Sequence, residues 1–125
     1  MLKFSNEVPI YRQIMDLILK DIINGTYRPG EQIPSVRELS RIYSANPNTC
    51  QRAVAELTEM ELLVSFSTNG KFVTENRELL ARYKRDTLRE LTQKFWEEVK
   101  AMGYSIEEVI QIMKKEGEKN GDYRA

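Results

Sequence analysis

The sequence contains no histidine, a single cysteine and no glycine-rich phosphate loop. Histidine is a common acid–base residue in enzymes and a frequent zinc ligand, so its absence excludes a histidine-dependent mechanism and a histidine-ligated zinc site. Cys50 alone offers one soft metal ligand and cannot form an internal disulfide. An enzyme would have to rely on carboxylates and lysines, and no spacing in the chain brings such a set together. We therefore predict no catalytic site, no metal and no cofactor.

Long apolar runs are also missing, and no stretch reaches the length of a signal peptide or a membrane span. A cytoplasmic protein without a membrane partner is therefore expected. The 125 residues can bury one modest core, or one small domain plus an extension too short to fold alone. The 19 basic side chains balance 19 acidic ones, so no overall positive field attracts nucleic acid. Any contact with DNA has to come from a local arrangement of cations.

Signals for helix starts are clear in the first half of the chain. Apolar residues at three- and four-residue spacing predict a first helix over Pro9–Asn24. Ser35 and Glu38 have the spacing of a capping box, which starts a second helix. Asn46 followed by Pro47 is a favoured start for a third helix. Because only about three residues join the second and third helices, the pattern predicts a helix-turn-helix.

The third predicted helix has two contrasting faces. Its apolar positions form a stripe that should be buried: Cys50, Ala53, Val54, Leu57 and Met60. The opposite face carries Asn48, Gln51, Arg52 and Ala55. Amides can pair with adenine, arginine binds guanine or phosphate, and a small residue permits close approach. The pattern is typical of a helix that reads base edges in a major groove.

Two short β-rich runs, Leu62–Phe66 and Lys71–Thr74, flank Ser67-Thr68-Asn69-Gly70 and predict a hairpin with an Asn-Gly turn. A long helix is then expected over about Glu78–Met102, followed by a break at Gly103. Ser105 opens a last helix through a second capping box, and its polar end from Glu116 should fray.

The two final helices carry an apolar seam that is too extensive to remain in water, so we expect it to form a dimer. The dimerisation residues predicted from this seam are Leu88, Leu91, Phe95, Trp96, Val99, Met102, Ile106, Val109, Ile110 and Met113. An alternative is that Tyr83, Phe95, Trp96 and Tyr104 line an effector pocket. A dimer core is favoured, because two helices enclose little volume and aromatic residues are common anchors at interfaces.

With these residues in view, the chain resembles the GntR family of bacterial regulators, and more narrowly its YtrA-like branch. The resemblance rests on Pro9-Ile10-Tyr11, Gln13-Ile14, Gly25, Pro29-Gly30, Ile33 to Ser40, Asn46 to Thr49, Arg52-Ala53, Glu56-Leu57 and Gly70 to Val73. Their order and spacing fit over Val8–Thr74, and the two-helix tail fits as well.

The resemblance implies a mainly α fold with a small β-hairpin: a winged helix-turn-helix over residues 1–75, followed by a two-helix dimerisation tail over 76–125. The hairpin would be the wing. The implied function is a sequence-specific transcriptional regulator, a repressor, that binds a pseudo-palindromic operator in double-stranded DNA as a homodimer. The alternative is a dimeric winged-helix adaptor that binds proteins without specific DNA binding. Any small-molecule effector, of unknown identity, is expected to act near Asn76–Arg89 or in the dimer seam.

The resemblance also implies which residues contact DNA. In the family the position of Arg37 helps to read bases, the start of the recognition helix does the same, and the wing glycine approaches the minor groove. The predicted DNA-binding residues are Ser35, Arg37, Asn46, Asn48, Thr49, Gln51, Arg52, Gly70 and Lys71. The plainer alternative for Arg37 and Arg41 is a solvated surface charge, and Cys50 is expected to be a small buried apolar residue rather than a redox sensor.

The sequence departs from the family pattern in three places. Gln51 stands where many relatives outside this branch carry a DNA-contacting arginine, so that role would either pass to Arg52 or be missing. The wing is poorer in arginine and glycine than the common form, which weakens the expectation of minor-groove insertion. Glu61 replaces the usual glycine before the first wing strand, so the turn there needs a different backbone solution.

Overall fold

The computed structural model describes residues 4–66 and 69–121. The described residues form five helices and one antiparallel sheet: α1 (Ile10–Ile23), α2 (Val36–Tyr43), α3 (Pro47–Glu59), β1 (Leu63–Ser65), β2 (Lys71–Val73), α4 (Arg77–Ala101) and α5 (Ile106–Lys119). Two compact units divide the chain, and we call Met1–Lys84 the head and Arg85–Ala125 the tail. The predicted fold, a mainly α winged helix-turn-helix followed by two helices, is confirmed.

The core of the head is built mainly from α1 and α3. Ile14, Ile18 and Ile22 repeat every four residues and point to one side of α1, where they are buried. On α3 the buried side chains are Cys50, Ala53, Val54 and Leu57. Complete burial of one aliphatic side chain is worth roughly 1.5–3 kcal/mol, so this packing fixes α3 firmly on the head.

The start of α2 and the link to α3 are held by local hydrogen bonds. The N–H of Glu38 donates to Oγ of Ser35 over 3.1 Å, and the N–H of Ser35 donates to Oε1 of Glu38 over 2.9 Å. Ser44 adopts a left-handed conformation at the end of α2, with φ of 50°. Three residues separate α2 from α3. The predicted capping box and tight helix-turn-helix connection are therefore confirmed.

Glu61, which stands in place of a glycine, also adopts the left-handed conformation, with φ of 65°. Its N–H donates to the carbonyl of Thr58 over 2.9 Å, and the N–H of Leu62 donates to the carbonyl of Leu57 over 3.0 Å. These two bonds are those of a Schellman motif, which closes the end of α3. The backbone thus keeps the geometry that glycine favours, at a cost of roughly 1–2 kcal/mol for a residue with a Cβ.

The wing consists of β1 and β2, which pair from Leu63 opposite Val73 to Ser65 opposite Lys71. Both strands are shorter than the runs predicted from sequence. A third extended segment pairs with the other edge of β2, where the N–H of Val73 donates to the carbonyl of Glu31 over 2.8 Å. The predicted turn residues Ser67 and Thr68 lie outside the described residues.

The first turns of α4 belong to the head, where Leu79 is buried and Leu80 and Tyr83 pack against the core. In the tail, α4 ends before Gly103, which has a φ of 92°, and the capping box of Ser105 with Glu108 opens α5 as predicted. The chain was predicted to fray from Glu116; α5 continues to Lys119, and residues 122–125 lie outside the described residues. Among the described residues, no helix is both long and apolar enough to cross a membrane.

Candidate nucleic-acid interface

The two faces of α3 are separated as their residue types require. The stripe from Cys50 to Leu57 packs into the head, and Met60 at the end of the helix is only partly buried. On the opposite side Asn48, Gln51 and Arg52 are exposed, and so is the small side chain of Ala55. We call these four residues the reading face. A polar face of this kind on the second helix of a helix-turn-helix is able to enter a major groove.

The first residues of α3 stabilise the start of the helix. Oδ1 of Asn46 accepts a hydrogen bond from the N–H of Asn48 over 2.8 Å and so caps the helix. The side-chain NH₂ group of Asn46 can still donate hydrogen bonds. Pro47 lacks an N–H at the first helical position, where an N–H would have no partner in the helix. Thr49 is partly buried. The positive end of the α3 dipole therefore lies beside the exposed Asn48, where an anion such as phosphate is favoured.

The start of α2 contributes cations beside this helix. Arg37 and Arg41 are both exposed and lie one turn apart on α2. Within the part of the chain that the structure describes, the one ion pair joins Arg89 to Asp86, so no carboxylate is paired with either arginine. Oγ of Ser35 is engaged in the capping box. Arg37 and Arg41 thus keep their charge available, while Ser35 is committed to holding the helix start.

The capping box also affects the nearby carboxylate. The hydrogen bond that the N–H of Ser35 donates to its carboxylate is the main cause of a lowered pKa at Glu38, and Oγ of Ser35 and the charge of Arg41 act in the same direction. Glu38 is therefore ionised throughout the neutral range. A fixed negative charge in the first turn suits the positive end of the α2 dipole.

Arg52 has a neighbour that the sequence pattern did not reveal. Its guanidinium lies over the ring of Tyr11 from α1, with Cζ at 3.8 Å from the ring centroid. The two residues are distant in sequence and meet only because α1 packs against α3. Tyr11 was recognised as part of the Pro9-Ile10-Tyr11 motif, but the motif does not predict this contact.

The wing is braced by another residue that sequence reasoning missed. Gly70 has a φ of 93°, and a Cβ added there would lie 2.6 Å from Nε2 of Gln32. The same amide donates to the carbonyl of Asn69 over 2.6 Å, so Gln32 occupies the space next to the glycine. Nζ of Lys71 donates to Oγ of Ser65 across the hairpin over 2.6 Å. Lys71 is thus tied to its own strand partner in the wing.

Cys50 behaves as a buried apolar residue. It has no exposed surface, and burial raises the pKa of its thiol. A protonated thiol inside the core is a poor nucleophile and a poor metal ligand. No group of three or more potential metal ligands occurs among residues 4–66 and 69–121.

The tail presents a second surface, which is apolar. None of the side chains that the structure describes in residues 85–121 is buried, and Leu88, Leu91 and Met102 are each more than 60% exposed. A groove of about 670 Å³ runs between α4 and α5. The predicted dimerisation residues that line this groove are Leu91, Phe95, Trp96, Ile106, Val109, Ile110 and Met113. We call these seven residues the tail groove.

Comparison with known sequences gives a consistent picture. Residues 10–73 match the family described as bacterial regulatory proteins, gntR family. The chain is 31% identical to the transcriptional regulator YhcF of Bacillus subtilis, over 90% of this chain and 93% of YhcF. It is 37% identical to the transcriptional repressor YtrA of the same organism, over 57% of this chain and 55% of YtrA. The match to YtrA therefore covers about half of each chain.

Solved structures agree with this result. A GntR family transcriptional regulator from Listeria monocytogenes is similar with a TM-score of 0.83 and 38% identity, over 90% of this chain and 98% of that chain. The DNA-binding domain of AraR, solved in complex with the operator ORX1, is similar with a TM-score of 0.53 and 28% identity. That likeness covers 59% of this chain and 90% of the AraR chain.

Proposed function

Because the chain belongs to the gntR family of bacterial regulatory proteins, we propose that this transcriptional regulator is a repressor that binds a pseudo-palindromic operator as a homodimer. The observation that carries the proposal is the reading face, which exposes Asn48, Gln51 and Arg52 on a capped and firmly packed α3. Two amides and a guanidinium on one helix face are matched to adenine edges, guanine edges and phosphates.

In the proposed complex α3 lies in the major groove. The amides of Asn48 and Gln51 supply paired donors and acceptors to base edges, and Ala55 allows the helix to approach closely. Arg37 reaches a guanine from the start of α2, whereas Arg52 binds a phosphate. Gly70 brings the wing backbone near the minor groove. Phosphate contacts set the position of the head, and the base contacts set its sequence preference.

The homodimer is proposed from the tail. Nine large apolar side chains are exposed there, from Leu88 to Met113, and one chain leaves them in contact with water. A second copy offers the same apolar face, and a two-fold interface pairs equivalent patches. We propose that residues 76–125 serve this pairing and that residues 1–75 serve DNA binding. Two heads then bind two half-sites, which is why the operator is pseudo-palindromic.

Repression, rather than activation, is proposed by analogy with YtrA, which is named as a repressor. A dimer that occupies two half-sites within a promoter excludes polymerase without any further activity of its own. The chain needs only affinity and sequence preference for this role: the head supplies the sequence preference, and the pairing of two heads through the tail raises the affinity.

Selection of bound duplexes from a random pool tests this function and returns the operator. We expect enrichment of a two-fold-related sequence, followed by tight binding of the full-length chain that weakens steeply with salt. Gln51→Ala should relax one position in each half-site. Glu59→Ala is a matched control, since Glu59 is exposed near the other end of α3. Absence of any enriched sequence would overturn specific DNA binding and favour the protein-binding adaptor.

A further inference from the structure

Tyr11 and Arg52 form a contact that the proposed function does not assign. Cζ of Arg52 lies 3.8 Å from the centroid of the Tyr11 ring. At this distance a guanidinium is attracted by the negative face of the aromatic ring. The contact links the first turn of α1 to the reading face of α3.

The tyrosine ring is the fixed partner of this pair. Tyr11 is partly buried, and the helix that carries it is anchored in the core by Ile14 and Ile18 on the following turns. Arg52 is exposed. A free arginine side chain samples many rotamers and loses that entropy when it binds. The ring therefore limits the conformations of Arg52 before any ligand arrives.

Stacking also leaves the binding groups of Arg52 available. The guanidinium contacts the ring through its flat face, whereas its five N–H donors lie in the plane and point outward from the edge. Within residues 4–66 and 69–121 the one ion pair joins Arg89 and Asp86, so no carboxylate competes for Arg52. The side chain is held in place but its charge and donors are not consumed.

We propose that Tyr11 is a positioning residue that holds Arg52 ready for a phosphate oxygen of the DNA backbone. The proposal rests on the DNA-binding function proposed above and deepens it. Tyr11 contributes no charge, so its loss should weaken binding without changing the number of phosphates that the protein neutralises. This combination separates a positioning role from a charge contact.

The test uses the full-length chain with Tyr11→Phe, Tyr11→Leu, Arg52→Ala and the double variant Tyr11→Leu/Arg52→Ala. The probes are a duplex selected from a random pool by the wild-type chain and a mixed-sequence duplex of the same length, with affinity measured by fluorescence anisotropy at several NaCl concentrations. Tyr11→Phe should bind within about twofold of wild type, because the ring is retained. Tyr11→Leu should bind about two- to fivefold more weakly to both duplexes.

The salt series and the double variant distinguish a positioning role of Tyr11 from a purely structural one. Arg52→Ala should reduce the slope of log affinity against log salt by about one, whereas Tyr11→Leu should leave it unchanged. In the Arg52→Ala background, Tyr11→Leu should cause no further loss. The ring-current shift of the Arg52 side-chain protons in NMR should be present in wild type and Tyr11→Phe and absent in Tyr11→Leu.

Three results would overturn the positioning role while wild type still binds DNA. The first is that Tyr11→Leu lowers DNA affinity by the same factor in the wild-type and the Arg52→Ala backgrounds. The second is that Tyr11→Phe lowers the affinity as much as Tyr11→Leu does, which would mean that the hydroxyl contacts DNA directly. If Tyr11→Leu does not fold, Arg52→Lys replaces it in the test, because lysine keeps the charge but lacks the planar group that stacks on the ring. The third contradicting result is wild-type DNA affinity in Arg52→Lys. Failure of the wild-type chain to bind any duplex overturns the proposed function itself.

Discussion

The head and the tail of this chain treat apolar side chains in opposite ways. Among residues 4–66 and 69–121, every buried hydrophobic side chain lies in the head, from Ile14 to Leu79, and the tail buries none. The head has thus completed its own core and can present polar residues to a ligand. Residues 85–121 are mostly helical but bury no side chain, so we expect a partner to cover their apolar face. In the proposed function the two units therefore receive different partners: DNA for the head, and a second chain for the tail.

The largest expected effect comes from the head core. Leu57 is completely buried on α3, and Leu57→Ala should lower the free energy of unfolding by about 2–5 kcal/mol, because it leaves a cavity. Denaturant titration followed by circular dichroism measures this loss. Leu91→Ala is the matched control in the tail, where the leucine is 62% exposed.

The two leucines should also differ in their dependence on protein concentration. Leu91 contacts the partner in the proposed dimer, so the effect of Leu91→Ala should change with protein concentration, as association requires. The effect of Leu57→Ala should change little. A concentration-independent effect at Leu91 would remove the distinction between a closed head and an open tail.

The next effect concerns the head surface. Arg37→Ala should weaken binding to the selected operator by roughly tenfold to a hundredfold and relax specificity at one base pair in each half-site, since a bidentate arginine–guanine pair discriminates by about 1–3 kcal/mol. Anisotropy on operator and mixed duplexes measures both. Arg89→Ala, an exposed arginine of the tail, is the control and should change little. Unaltered operator binding by Arg37→Ala at every salt concentration would contradict this role.

A smaller effect is expected where α3 ends. Glu61 has a φ of 65°, a conformation that glycine adopts without a steric penalty. Glu61→Gly should therefore raise the free energy of unfolding by about 0.5–1 kcal/mol, with part of the gain lost to the entropy of the unfolded chain. Glu59→Gly, inside α3, should have the opposite sign. Destabilisation by both changes would show that the left-handed geometry does not control this turn.

The smallest effect is a pH dependence at the start of α2. The lowered pKa of Glu38 means that the folded state favours the charged carboxylate. Its contribution is complete above the unfolded pKa and is lost as the pH falls through the lower folded pKa. Glu38→Gln should therefore be less stable than wild type at neutral pH, and the difference should vanish in acid. Thermal unfolding at a series of pH values measures it, and a constant difference would argue against the capping role.

Sequence patterns anticipated features whose causes are local. The capping boxes at Ser35 and Ser105, the Asn46 cap and the break at Gly103 each depend on residues within a few positions of one another. The two faces of α3 followed from helical periodicity alone. Such features are determined before the chain folds, so they could be read from the sequence.

Features that depend on distant residues escaped the sequence analysis. The stack of Arg52 on Tyr11 requires α1 to pack against α3, and the brace of Gln32 beside Gly70 requires a segment before α2 to reach the wing. Glu61 was recognised as a departure, but its left-handed backbone is maintained by hydrogen bonds that a residue type does not disclose. The missing parts of the candidate site are thus those created by tertiary contact.

The central claim is that the head binds DNA and the tail forms the dimer, and the most direct test compares the full chain with residues 1–84. The cut falls after Lys84, because Leu79 and Tyr83 complete the head core. Sedimentation should show a dimer for the full chain and a folded monomer for the head, and the head should bind the selected operator about a hundredfold or more weakly, because the two heads lose their effective concentration. A dimeric head, or a monomeric full chain that binds the operator no better than the head, would contradict the account.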